Sequence, residues 1–281
     1  HDMWPCTGIC HHARDCEKFQ TECESCFFLK SKGKDLSTSV FDKKMSLYKD
    51  ANITFVGCSR WLSGRAKKSY LLRGKAVLSI PNPIDTKVYH PMDQGMAREL
   101  LGLPSGKRLL LFGALNVTDK RKGIDYLIEA LRRMEKQDVE LVVFGQVKDD
   151  IRGLFPVPIH SMGYLSDESK IVALYNAVDM FITSSLEENL PNTIMESMAC
   201  GTPCVGFEIG GIPEMIDHRV NGYVANYKDA GDLANGIQWV LEHEDRLALS
   251  DACVKKVQEN YTEEVVAKQY TALYEKLLKG E

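Results

Sequence analysis

Between residues 108 and 227, short apolar runs alternate with stretches of helical spacing, and that alternation limits what the chain can fold into more than any other feature. The runs are "RLLLFGA" (108–114), "VELVVFG" (139–145), "VPIHSMGYL" (157–165), "MFITSS" (180–185), "TPCVGFE" (202–208) and "NGYVANY" (221–227). Between them lie helical patterns at 123–136, at 166–179 behind a Ser166 cap, and at 192–201, with a short helix begun by "GGIPEMI". Runs that are apolar throughout, without strict alternation, predict strands covered on both faces. The fold class is therefore α/β, with a doubly wound parallel sheet. Such sheets bind ligands outside the carboxyl ends of their strands, at a switch point. Upstream, "ITFVGCS" (53–59), a helical stretch at 59–74 and "KAVLSIP" (75–81) form one further strand–helix–strand unit. The polar linker "NPIDTKVYHP" predicts a boundary near 85–91, so that 1–88 form one domain and 89–262 another. Helical stretches at 229–243, 244–258 and 263–279 close the chain, and residues 1 to about 40 read as irregular.

With 281 residues, 44% hydrophobic and 26% charged, and a net charge of −4, the composition is that of a soluble globular protein without a nucleic-acid partner. No run of ~18 uncharged apolar residues is present to span a membrane, and no secretory leader is visible. Of nine cysteines, five fall in the first 26 residues. The later ones sit in apolar surroundings such as "MACGTPCVGF", which points to buried thiols and a cytoplasmic chain. Cys10, Cys16, Cys23 and Cys26, with His11 and His12 between them, leave three readings open: a structural zinc, free thiols or disulfides.

Neither G-x-G-x-x-G nor the P-loop pattern occurs. The loop "ALNVTDKRKG" instead sets Lys120, Arg121 and Lys122 before a glycine and a helix. Cations there oppose the helix dipole, so they hold an anion such as a diphosphate or form a solvated basic turn. In "SSLEENLPNTIMESMACGTPCV" two carboxylates stand eight residues apart, Glu188 in a loop and Glu196 in the early turns of the helix that Asn192 is placed to cap. One reading has both facing a single crevice and accepting hydrogen bonds from a polyhydroxyl ligand, with the helix end taking a phosphate. The other has Glu188 on the surface and Glu196 paired with a lysine.

The stretch "ENLPNTIMESMACGTPCV" resembles the E-x7-E signature of the family-4 retaining glycosyltransferases, glycosyl transferases group 1 of GT-B fold. The resemblance extends over "FGALNVTDKRKGIDYLIEAL", "GYLSDESKIVALYNAVDMFITSS", "IGGIPEMI", "NGYVANYKDAGDLANGI", "VGCSRWLSGRAKKSYLL" and "IPNPIDTKVYHP". It implies a complete Rossmann-like donor domain, a partial N-terminal Rossmann-like domain, and a final helix (263–281) crossing back to the latter. It further implies that Glu196 holds the nucleotide ribose, that Glu188 faces the transferred sugar, and that Lys122 lies on the donor diphosphate, with Lys120 and Arg121 beside it. The backbone from Asn189 and Leu190 through Pro191 and Asn192 to Thr193 is then the cradle around sugar and phosphate. The segment Gly163, Tyr164, Leu165 reads the base. After Gly113 the family commonly has an arginine; here Ala114 stands there, and Arg121 is the substitute within reach. His1 and Asp2 resemble a His-Asp pair whose histidine lies near the reacting centre in related enzymes, the bland alternative being a disordered terminus.

The resemblance implies a retaining hexosyltransferase that moves a sugar from a UDP- or GDP-sugar to a glycan or lipid-linked acceptor in polysaccharide biosynthesis. It implies no required metal cofactor, and a cytoplasmic place at the inner face of the membrane with peripheral association. The family's first strands and Gly-rich loop have no counterpart in this sequence, so the chain reads as N-terminally truncated. The alternative is a non-catalytic nucleotide-sugar binding module.

Overall fold

Leu109, Leu110, Leu111 and Phe112 are fully buried in the middle of a six-stranded parallel sheet, which is why their run shows no polar alternation. The computed structural model describes residues 1–116, 119–134, 138–146 and 152–280. They divide into two units, one spanning His1–Pro81 and the other beginning at Asn82.

The first unit holds α1 (Leu36–Lys49), β1 (Thr54–Gly57), α2 (Arg60–Lys67) and β2 (Ala76–Ser79). β1 and β2 pair in parallel, from Thr54 opposite Ala76 to Gly57 opposite Ser79. The predicted helix 59–74 is α2 followed by a separate 3-10 turn at Tyr70–Leu72, because Ser69 caps a new start. α1 begins inside the stretch read as irregular. Its Asp35 accepts from the Ser37 and Thr38 amides and closes a capping box with Thr38.

In the second unit follow α3 (Gln94–Leu101), β3 (Arg108–Asn116), α4 (Ile124–Arg133), β4 (Val139–Gln146), β5 (Ile159–Gly163) and α5 (Glu168–Ala177). Then come β6 (Met180–Thr183), α6 (Asn192–Ala199), β7 (Cys204–Phe207), α7 (Ile212–Met215) and β8 (Gly222–Ala225), with α8 (Ala230–Leu241), α9 (Arg246–Asn260) and α10 (Glu263–Lys279) at the end. The strand order is β5-β4-β3-β6-β7-β8, all parallel. Every predicted strand of this unit is present. The helix predicted at 123–136 is α4, and its last two positions, like residues 117 and 118 of the basic loop, lie outside the described residues. α3 was not anticipated, and α5 is capped by Asp167 rather than Ser166, since the Asp167 carboxylate takes the Ser169 amide.

α4 buries Ile124, Leu127, Ile128 and Leu131, a stripe at helical spacing, and packs with Leu233, Ile237 and Val240 of α8 over one face of the sheet. α3, α5, α6 and α9 touch in sequence and form the other layer. At the amino ends of the central strands the buried Asp179 ties the layers together. It accepts from the Leu109 amide (2.6 Å), the Arg98 guanidinium (3.1 Å) and the Arg246 guanidinium (2.6 Å). None of the helices among the described residues is long and apolar enough to cross a membrane.

Candidate functional site

β3 and β6 are neighbours, yet the chain leaves β3 toward β4 on one side and β6 toward β7 on the other. That reversal makes the crevice outside their carboxyl ends the switch point of the sheet. The loops there are fastened backbone to backbone. Gly123 sits at φ +64°, where a Cβ would fall 1.9 Å from the Ser184 carbonyl oxygen. The Ser184 hydroxyl donates to the Lys122 carbonyl (2.9 Å), and the Leu186 amide to the Arg121 carbonyl (2.7 Å). From the β7 side, Gly210 lies at φ +59° with its missing Cβ 2.1 Å from the Glu188 carbonyl oxygen, while the Gly211 amide donates to Asn189. Gly123→Ala combines a left-handed backbone with this clash, so it is expected to destabilise the unit by at least ~2 kcal/mol, read by urea unfolding.

This fastening brings two predicted residues together: the Lys122 ammonium lies 2.5 Å from the Glu188 carboxylate, both partly shielded from solvent. The three cations stand ahead of Gly123 and the helix, as predicted. They form a 3-10 turn ahead of it, with Gly123 between, because Asp119 caps the turn. Arg121 folds back on Asp119, its Nη2 2.6 Å from Oδ2, and is mostly exposed. Lys120 is exposed as well. Lys122 is thus the cation of the three that pairs with the crevice carboxylate.

Glu196 sits in the second turn of α6, half-buried, and accepts at Oε2 from the Tyr175 hydroxyl at 2.7 Å. It pairs with a tyrosine, not with a lysine. Burial pushes its pKa above the usual glutamate value, the Tyr175 hydrogen bond draws it back, and the nearby Glu168 charge adds to the rise. A raised carboxyl favours the protonated folded form. Its contribution to stability is complete below the ordinary glutamate pKa and fades as pH climbs through the raised one.

Asn192 does not cap α6. Pro191 occupies the cap position and has no side-chain acceptor to cap with, its carbonyl accepting from the Ile194 amide (3.1 Å), and Asn192 is the first helical residue, its Oδ1 accepting from Asn82 at 3.3 Å. The pattern of caps is informative. Side chains cap α1, α2, α3, α5, α8, α9 and α10, whereas α4, α6 and α7 have none. Those three follow β3, β6 and β7, the strands whose loops meet at the crevice.

The remaining predicted residues spread more widely. Leu190 is buried, and Asn189, Pro191 and Thr193 are half-buried along the loop into α6. Gly113 is a glycine because the Phe144 ring lies where its Cβ would be, at 1.8 Å. Gly163 ends β5 at φ +63°, with exposed Tyr164 and half-buried Leu165 after it. His1 is exposed and belongs to the other unit. All nine cysteines are free thiols, which disposes of the disulfides. Among the described residues no three His, Cys, Asp or Glu side chains are grouped to hold a metal ion. Burial raises the Cys10 thiol and pushes Cys23 up to about 11, with the neighbouring Cys16 and Cys26 adding to both rises. Sequence reasoning missed Tyr175. The available signal was a tyrosine inside a helix with apolar neighbours, whose hydroxyl needs an acceptor once buried.

Residues 106–243 match the family model described as Glycosyl transferases group 1. The N-acetyl-alpha-D-glucosaminyl L-malate synthase of Bacillus anthracis is 24% identical over 213 residues, covering 74% of this chain and 55% of that protein. The chain spans about half the length of the curated relatives it matches, 55% and 47% for two of them. A sucrose-phosphate synthase from Thermosynechococcus elongatus superposes with a TM-score of 0.73 at 22% identity, over 94% of this chain and 66% of that one. Anabaena HepE in complex with UDP-glucose superposes with a TM-score of 0.67 at 19% identity, over 83% of this chain and 67% of that one. Over residues 106–243 the second unit is thus similar to a glycosyl transferases group 1 domain, and the fold of the chain is of GT-B type.

Proposed function

We propose that the crevice at the switch point binds a nucleoside diphosphate sugar, and that the protein transfers the sugar, with retention, to a glycan or lipid-linked acceptor. One observation carries the reading: the loops after β3, β6 and β7 are fastened together there, lead into helices without side-chain caps, and present Lys122 and Glu188 to each other. The positive end of α6 and the Lys122 ammonium offset the charge that grows on a departing diphosphate. Glu188 then faces the sugar hydroxyls, and Glu196, one helical turn further in, takes the ribose. Retention follows in this reading from attack on the face that the diphosphate leaves. The family-4 assignment, the hexosyl donor and a cytoplasmic place at the membrane belong to the same proposal, as does a role for His1 of the first unit.

The second reading, binding without transfer, is favoured by one feature. Among the described residues the only sheet in the first unit is the two-stranded β1–β2, and in this second reading the acceptor side is a partial domain. Titration calorimetry with UDP, GDP and their sugars tests the shared part; absence of heat with all of them overturns it. A transfer assay then separates the two readings. Glu188→Gln is expected to lower turnover at least ~100-fold while changing UDP affinity little. Wild-type turnover in that variant would remove Glu188 from the reaction.

A further inference from the structure

We infer that Tyr175 is a positioning residue, whose hydroxyl holds one oxygen of Glu196 so that the other is presented to a nucleotide's ribose. This rests on the reading of Glu196 given above. Tyr175 comes from α5, is 1% exposed, and touches no surface that a ligand could reach directly. Its ring is held edge-on between Phe144 (6.2 Å, 82°) and Phe181 (6.0 Å, 82°), which fixes the direction of the hydroxyl. That hydroxyl meets Oε2 of Glu196 at 2.7 Å. The carboxylate sits on α6 behind uncapped amides, and a bond to Oε2 leaves Oε1 as the acceptor for a ligand.

A phenol suits this task better than a cation. Burial and the neighbouring carboxylate hold the Tyr175 hydroxyl protonated far above the ordinary tyrosine range, so it always donates and never neutralises the glutamate. An arginine in its place would consume both oxygens in a bidentate pair. The other titratable groups facing the pair are Glu168 at the start of α5, Tyr89 in the linker before α3, which hydrogen-bonds Glu168, Cys200 at the end of α6, and Cys204 of β7, whose thiol burial pushes up to about 12. Both Tyr89 and Cys200 have pKa values raised by burial, so they stay neutral near pH 7. Removing the Tyr175 hydroxyl takes away the one interaction that draws the Glu196 pKa down, and leaves burial and Glu168 to raise it.

The test compares wild type and Tyr175→Phe, which keeps the ring between Phe144 and Phe181, by calorimetric titration. The probes are the tighter-bound of UDP and GDP and its 2′,3′-dideoxy counterpart. Wild type is expected to prefer the hydroxylated nucleotide. The variant should lose about tenfold in affinity for that nucleotide and nothing for the dideoxy one. In the variant the acid-side loss of affinity should also set in at higher pH. Equal weakening for both nucleotides would show a merely structural tyrosine, and unchanged affinity for the hydroxylated one would leave the hydroxyl without a role; either overturns the inference while leaving the ribose reading intact. If wild type itself fails to distinguish the two nucleotides, the assignment of Glu196 to the ribose falls, and this inference with it.

Discussion

Replacing Asp179 by alanine is expected to lower the unfolding free energy of the second unit by ~3–5 kcal/mol and its thermal midpoint by roughly 10 °C. Asp179 is 4% exposed, its carboxylate accepts from the Leu109 amide and the Arg98 and Arg246 guanidinium groups, and Arg108 stands 3.7 Å away. Arg98 is equally enclosed, and its remaining donors are spent on the carbonyls of Ala177, Ser105 and Lys107. Alanine leaves that guanidinium buried among carbonyl dipoles with no counter-charge. Loss of one partner of a buried pair costs far more than loss of an exposed one. Asp179→Asn keeps two acceptor bonds and should lose less. Urea unfolding monitored by tryptophan fluorescence and circular dichroism measures both. The cluster lies at the amino ends of β3 and β6, opposite the crevice, so nucleotide affinity of the folded fraction should not change. A midpoint within ~2 °C of wild type would show that Arg98 finds other compensation.

Glu196→Gln is expected to separate binding from stability. In the proposed reading Glu196 accepts from the ribose, and amidation removes that charge-assisted bonding, so affinity for UDP or GDP should fall ~100-fold. Stability should move the other way. Folding shields Glu196 from solvent and raises its pKa, so the wild type loses folding free energy as pH rises through the glutamate range to the raised value. Glutamine does not titrate, and its amide oxygen still accepts from Tyr175. Unfolding curves at about pH 4 and about pH 8 should therefore show the variant gaining on the wild type at the higher pH. A variant that is less stable at both values, with no change between them, would contradict the burial argument.

The strands of the second unit were legible in the sequence because burial on both faces removes polar residues from them, and β6 and β7 show this at every position. α1 was not legible for the opposite reason. Its buried side is Ser37, Thr38, Phe41 and Lys44, which has no apolar period. Lys44 is buried because its ammonium donates to the carbonyls of Trp4, Thr7 and Gly8, partners nearly forty residues away. The two glutamates of the candidate site stood out by their spacing, but their partners in the fold did not. Lys122 reaches Glu188 across a reversal of strand order, and Tyr175 reaches Glu196 between adjacent helices. Arg121 shows the same limit: its capping residue Asp119, two positions back, claims the guanidinium that sequence reasoning had aimed at a ligand.

The close contacts at Gly123 and Gly210 divide the rim of the crevice into parts with different freedom to vary. An inserted residue at 120–123, 184–189 or 210–211 would pull a glycine out of the only backbone conformation that clears its neighbour's carbonyl oxygen. Nothing lies within 4 Å of the site a Cβ would take on Gly163, and Tyr164 beside it is mostly exposed. Lengthening or replacing the chain after β5 disturbs none of the hydrogen bonds that fasten the other loops. A library aimed at new ligand preference therefore keeps most of its members folded when it varies the segment after Gly163, and loses most of them when it varies the length of the other three.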